Sequence, residues 1–133
     1  MFFLAKYQHA ISNVAEPEFY EMTDGEACEN GQALMLTGGK LTKCSATEKP
    51  THIAMKAVSA DAQERRMPVL RVDENQLFRV SVSEDPSALT PGAKVTISDD
   101  ALSVTATTAS GVATIDDLSG AEKAGDEIYV RFI

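Results

Sequence analysis

Tryptophan is absent from this chain, and aromatic residues make up only 6% of its 133 positions. A carbohydrate-stacking surface is therefore not expected. Histidine occurs twice, at His9 and His52. A Ser/His/Asp or Cys/His/Asn site would have to use one of them, and no nucleophile stands in an elbow motif. Cysteine also occurs twice, at Cys28 and Cys44. That is too few for a disulfide framework and carries no metal-ligand spacing. Buried free thiols are the expectation, with a single bridge as the alternative. Basic clusters are missing except for Arg65-Arg66, and the formal net charge is -8. Nucleic-acid binding works by displacing counterions with clustered Lys and Arg, so no nucleic-acid partner is expected. No apolar run approaches the roughly 18 residues of a membrane span. The start, Met1-Phe2-Phe3-Leu4-Ala5-Lys6, has no basic leader or small-residue cleavage site. A soluble intracellular protein, or one assembled inside a cell, is expected, without a membrane partner.

What is there reads as globular: 44% hydrophobic and 24% charged residues. The length suits one domain, or two very small β units sharing a core. The acidic excess is uneven, with nine acids against three bases from Ser83 onward.

Residues 1–22 stand apart. Phe2, Phe3, Leu4, Tyr7, Ile11, Val14, Phe19, Tyr20 and Met22 follow neither a period of two nor one of 3.6, and Pro17 interrupts any helix. Five of the eight Phe and Tyr residues lie here. This segment reads as an extended N-terminal arm, too apolar for water, that packs on the body or on another subunit. Phe2, Phe3, Leu4, Tyr7, Phe19 and Tyr20 are its candidate partner-binding residues. Removing the arm is expected to leave a folded body and to weaken assembly.

From Asp24 onward short strands are predicted. Ala33 to Thr37 and Lys40 to Cys44 flank Gly38-Gly39, a pair able to take positive φ in a primed hairpin turn. His52 to Val58 follows. Met67 to Val72 and Leu77 to Val82 are expected to pair around Asp73 to Gln76 as a second hairpin. Ala93 to Ser98, Ala101 to Ala106, Val112 to Leu118 and Asp126 to Phe132 complete the set. Strands at this spacing without a strong helix indicate a small barrel or sandwich.

The second half repeats the first. At an offset of 61, Cys28 meets Leu89, Gly31 meets Gly92, Leu34 meets Val95 and Leu36 meets Ile97. Gly38-Gly39 meets Asp99-Asp100, and Leu41 meets Leu102. With a shorter loop, Ile53-Ala54 meets Val112-Ala113, and Leu70 to Val72 meets Ile128 to Val130. The reading is all-β: two short-stranded antiparallel units related by a weak internal repeat, with the arm at 1–22, a first unit at 23–82 and a second at 83–133. A small four-stranded unit alone is marginal, and two packed together close a core. Cys28, opposite a Leu, is expected in the core. Cys44, opposite Thr105, is expected half-exposed.

Site chemistry is sparse. The pairs Asp73-Glu74, Asp99-Asp100 and Asp116-Asp117 fall at turns or strand ends, where turn formation and solubility account for them. Gly38-Gly39-Lys40 lacks the rest of a phosphate-binding loop and opens no helix. Asp24 to Asn30 does not match a calcium loop. No catalytic, cofactor-binding or metal-ligating residue is assigned, and no enzyme activity or cofactor is expected.

Three runs carry a resemblance: Asn30 to Val58 (NGQALMLTGGKLTKCSATEKPTHIAMKAV), Val69 to Val80 (VLRVDENQLFRV) and Gly92 to Ile115 (GAKVTISDDALSVTATTASGVATI). With the ending YVRFI they resemble the small capsid decoration, or cement, proteins of phages and prophages, over about four-fifths of the chain. The arm is not covered. The resemblance implies a β-rich protein docking on the outside of a head assembled in a bacterial cytoplasm. Its partner would be the major capsid protein, and the protein would act as a homo-oligomer, with a trimer favoured. Another virion module, such as a head fibre or a tail or baseplate piece, is the alternative. A small-ligand-binding β protein stands behind both.

Overall fold

A computed structural model describes residues 1–7 and 16–133, and they form ten strands and no helix. The all-β expectation is correct. His9, Ile11 and Val14 lie outside the described residues.

Five strands close a barrel: β2 (Glu18–Met22), β3 (Ala33–Thr37), β4 (Lys40–Lys43), β5 (His52–Ala54) and β6 (Arg66–Arg71), in the order β2-β4-β3-β5-β6. The β3–β4 hairpin turns on Gly38 and Gly39, with φ of 59° and 83°. Two consecutive positive φ values are what a primed turn needs, and glycine supplies them at little steric cost. Alternation then sends Leu34 and Leu41 into the barrel, where they meet Met22, Ala54, Met67 and Val69. β2 seals the ring by pairing antiparallel with β6 and parallel with β4.

The second sheet contains β1 (Phe3–Tyr7), β7 (Gln76–Ser81), β8 (Lys94–Val95), β9 (Ala113–Asp117) and β10 (Glu127–Arg131), in the order β1-β7-β10-β9-β8. Single bridges from Val104, parallel to Val82 and antiparallel to Ile97, curl it toward closure. Its sequence of pairings copies the barrel. β7 matches β2, β8 matches β3, residues 101–104 match β4, β9 matches β5 and β10 matches β6. The chain just before β9 passes so close to β8 that a Cβ on Gly111 would lie 2.3 Å from the Lys94 carbonyl.

Three expectations change. The hairpin predicted around Asp73 to Gln76 does not form, because β6 pairs with β2 and β5 whereas β7 pairs with β1 and β10. Buried Gln76 organises this crossing. Its carboxamide oxygen accepts the Asp73 N–H at 2.8 Å, and its nitrogen donates to the Arg71 carbonyl at 2.9 Å and the Tyr7 hydroxyl at 3.2 Å. Residues 101–106 do not form a regular strand: Ala101 has φ 57°, and only Val104 bridges. Apart from β1, which joins β7, backbone pairing passes from one sheet to the other between Arg71 and Gln76. Residues 76–82, expected in the first unit, lie in the second sheet, and 18–22, expected in the arm, close the barrel.

The arm is therefore structural. Phe2 is buried, its ring centroid 5.6 Å from Phe132 and 6.3 Å from Phe78. Its N–H donates to the Gly31 carbonyl at 2.9 Å. Phe2 thus joins one core cluster with Phe78, Phe132, Ile128 and Val130 of the second sheet and with Ala33, Ile53 and Leu70 of the barrel's outer side. Ala33 N–H to Ala101 O at 2.8 Å and Ile97 N–H to Ala46 O at 3.0 Å bind the two halves across the same seam.

Candidate docking surface

The structure separates the six candidate arm residues. Phe2 is buried in the core, 3% exposed, and reaches the surface only as part of the wall of a cleft beside Met1 and Met55. Phe3 and Phe19 are 45% and 49% exposed. Leu4, Tyr7 and Tyr20 are half-buried, Tyr7 against Gln76 and Tyr20 against His52.

Register brings further residues to the exposed rings. β5 and β6 pair Ile53 with Leu70 and Ala54 with Val69, and the Met55 N–H continues the ladder to the Pro68 carbonyl at 3.1 Å. Pro68 in turn stands opposite Phe19 of β2. Residues facing each other across an antiparallel ladder project to the same side. Met55, Pro68 and Phe19 therefore form one row outside the barrel. Two residues along each strand, Ile53 and Leu70 lie on this same outer side, covered by the seam cluster that contains Phe2. A cleft of about 260 Å³ connects the two regions, with Met1, Phe3, Leu4 and Met55 among its lining.

Among the described residues the exposed large hydrophobics are Met1, Phe3, Phe19, Met55 and Ile133. Four of these five fall on this single stripe, which makes it a patch instead of scattered surface. Sequence reasoning missed Met55 and Pro68. Their signal was the alternation Ile53-Ala54-Met55, which assigns Met55 outward only once the strand's two faces are known.

Cations sit on both rings. The Arg66 guanidinium lies 5.4 Å from the Phe19 centroid, and that of Arg79 lies 5.1 Å from Phe3. At exposed sites such contacts contribute roughly 0.5–1 kcal/mol each. Arg79 also pairs with Glu127 at 2.9 Å. Arg66 makes no ion pair among the described residues.

His52 is engaged at the barrel end. It is 1% exposed, with Nδ1 2.9 Å from Thr51 Oγ1 and Nε2 2.9 Å from Glu18 Oε1. Arg71 Nε donates to Glu18 Oε2 at 2.7 Å. One carboxylate thus ties β2 to both β5 and β6. These bonds, Arg71 first and His52 second, hold the Glu18 carboxyl below its ordinary pKa. A depressed folded pKa means that the stabilisation is present above the unfolded value, near 4.5, and fades as pH falls through the lower folded value. Glu18→Gln should cost about 1–2 kcal/mol at neutral pH. It should also flatten the loss of stability with acidification below about pH 4.5, as read by urea titrations at stepped pH. An unchanged acid limb in the variant would remove Glu18 as its source.

Both cysteines are free and buried. Cys28 is in the core as expected, its sulfur 3.4 Å from that of Met67. Cys44, expected half-exposed, is 1% exposed and donates to the Glu48 carbonyl at 3.1 Å. The end of β4 turns inward against the seam, and desolvation pushes its thiol up to about 12. An activated thiolate needs the opposite shift. The acidic pairs serve turns: Asp73 caps Asn75, Asp100 accepts from Ser98 and Leu102, and Asp117 accepts from Ser119. Among the described residues no cluster of three or more His, Cys, Asp or Glu is placed to hold a metal. Neither His52 nor Cys44 lines any of five surface clefts, of about 190 to 470 Å³.

No protein-family model matches the chain, and no curated protein matches it.

Proposed function

We propose that this protein is a non-enzymatic capsid decoration protein, which docks on the outer surface of a phage head and reinforces the shell. One observation carries the docking part: Met1, Phe3, Met55 and Phe19 are collected into a single exposed stripe on a chain of net charge -8. An apolar patch of this kind, rimmed by polar residues, is the usual mark of a protein–protein contact. The capsid as partner is supported by the resemblance of the runs Asn30 to Val58 and Gly92 to Ile115 to decoration proteins. The acidic excess after Ser83 is compatible with the same role, since net charge favours solubility of the unbound protein. In this reading the protein acts as a homo-oligomer, with a trimer favoured.

The test is co-sedimentation with expanded heads of its own phage. The wild-type chain is expected to pellet with heads at micromolar concentration, and a Phe19→Glu/Met55→Glu variant to remain in the supernatant. Wild-type protein left in the supernatant would reject the capsid reading.

A further inference from the structure

Asn30 and Gly31 sit where the N-terminal strand meets the barrel. The Gly31 N–H donates to the Ala54 carbonyl at 2.8 Å, and its carbonyl accepts the Phe2 N–H at 2.9 Å. Gly31 has φ 82°, and a Cβ there would collide with the Met1 side chain. Asn30 itself is exposed, on the wall of the cleft that Met1 and Phe3 also line. Its carboxamide makes no hydrogen bond among the described residues, whereas neighbouring Gln32 bonds Glu29 and Asp100. The internal repeat shows that the turn does not require asparagine. Gly92, opposite Gly31 in the repeat, has φ 91° and donates to the Ile115 carbonyl of β9 at the same 2.8 Å, yet Pro91 precedes it. The other two asparagines, Asn13 and Asn75, precede Val14 and Gln76. Side chains there crowd the next backbone nitrogen, and glycine leaves it open.

We infer that Asn30 is a modification site, where the Gly31 nitrogen slowly converts the side-chain amide to aspartate and isoaspartate, and that the isoaspartate form unseats the N-terminal strand. The Gly31 amide gives up its proton and attacks Asn30 Cγ. The N–Cγ bond forms, the Cγ–Nδ2 bond breaks, and Nδ2 leaves with that proton as ammonia. Water then opens the cyclic imide at either carbonyl. Net, one amide and one water become one carboxylate and one ammonium. In the closed seam both polar groups of Gly31 are bonded, so the reaction needs local opening and its rate follows the open population. Isoaspartate runs the main chain through the side-chain carbon and so lengthens it just before Gly31. The N–H to Ala54 and the carbonyl to Phe2 cannot then both keep their partners, and β1 loses its anchor. This inference stands apart from the docking reading.

The full chain is aged in mildly alkaline buffer, folded and in denaturing urea, and amide loss is located by peptide mass spectrometry. Conversion is expected at Asn30 before Asn75, and at least about tenfold slower in the folded chain than in urea. The isoaspartate and aspartate products of the folded chain are separated by chromatography and followed by amide hydrogen exchange. The isoaspartate form should lose protection over Phe2 to Tyr7. An Asn30→Asp variant, which adds charge without lengthening the backbone, should keep it. An Asn30→Gln chain, whose longer side chain closes the ring far more slowly, should age without losing that protection. Four results would each overturn the inference: amide loss first at Asn75, equal rates folded and unfolded, no conversion of folded Asn30 over weeks, or wild-type protection in the isoaspartate form.

Discussion

A chain lacking residues 1–22 should fail to fold, losing the cooperative urea transition and the near-ultraviolet circular dichroism of the intact protein. The deletion removes β1 and β2 together. β2 supplies four antiparallel partners to β6 and the parallel contact to β4, so the barrel opens along its whole side. Two buried side chains, Phe2 and Met22, leave with it. At about 1.5–3 kcal/mol each, these two alone take about 3–6 kcal/mol from a domain whose whole stability is of order 5–15 kcal/mol. The edges of β4 and β6 left unpaired by the loss of β2 would be prone to aggregation. A truncated protein with a native-like cooperative transition would show instead that the barrel closes without its first strand.

Phe78→Ala should cost about 3–5 kcal/mol by the usual range for a buried Phe, with a matching drop in urea midpoint at constant slope. Phe78 is fully buried on β7, between Phe2 and Phe132, with centroids 6.3 and 5.7 Å away. The cavity would open where the N-terminal strand, the second sheet and the outer side of the barrel meet. Because three elements depend on one ring, adding Phe2→Ala should cost less than its effect in the wild-type chain, a coupling readable in a double-mutant cycle. Strict additivity would mean that the arm is held by its backbone bonds and not by this cluster.

The first hairpin, the burial of Cys28, the role of acids as turn formers and the repeat were legible because each depends on residues close in sequence or on alternation. Gly38-Gly39 between two alternating segments leaves little choice of turn. The false hairpin at Asp73 to Gln76 had equally good local credentials. Two alternating apolar segments joined by a polar turn look alike whether the strands pair with each other or diverge. A buried glutamine that satisfies the turn's own backbone makes divergence possible here. The candidate surface was half legible. Phe3 and Phe19 were found by composition, yet Phe2 beside them belongs to the core. Met55 and Pro68 became visible only through the ladder that aligns them with Phe19.

By itself the sequence determined the strand-rich class, the positions of most strands and tight turns, the doubling of the pattern and the sign of the charge. These follow from alternation, turn residues and counting, which are local or bulk properties. The tertiary structure decided which sheet each strand joins, that the N-terminal segment is part of both, and which apolar side chains remain outside. The physical reason is that a strand's hydrogen-bonding edge accepts any suitable neighbour. Only the competition for buried surface along the whole chain, won here by Phe2 on the seam and Met22 in the barrel, selects the neighbour and leaves Phe3, Met55 and Phe19 exposed.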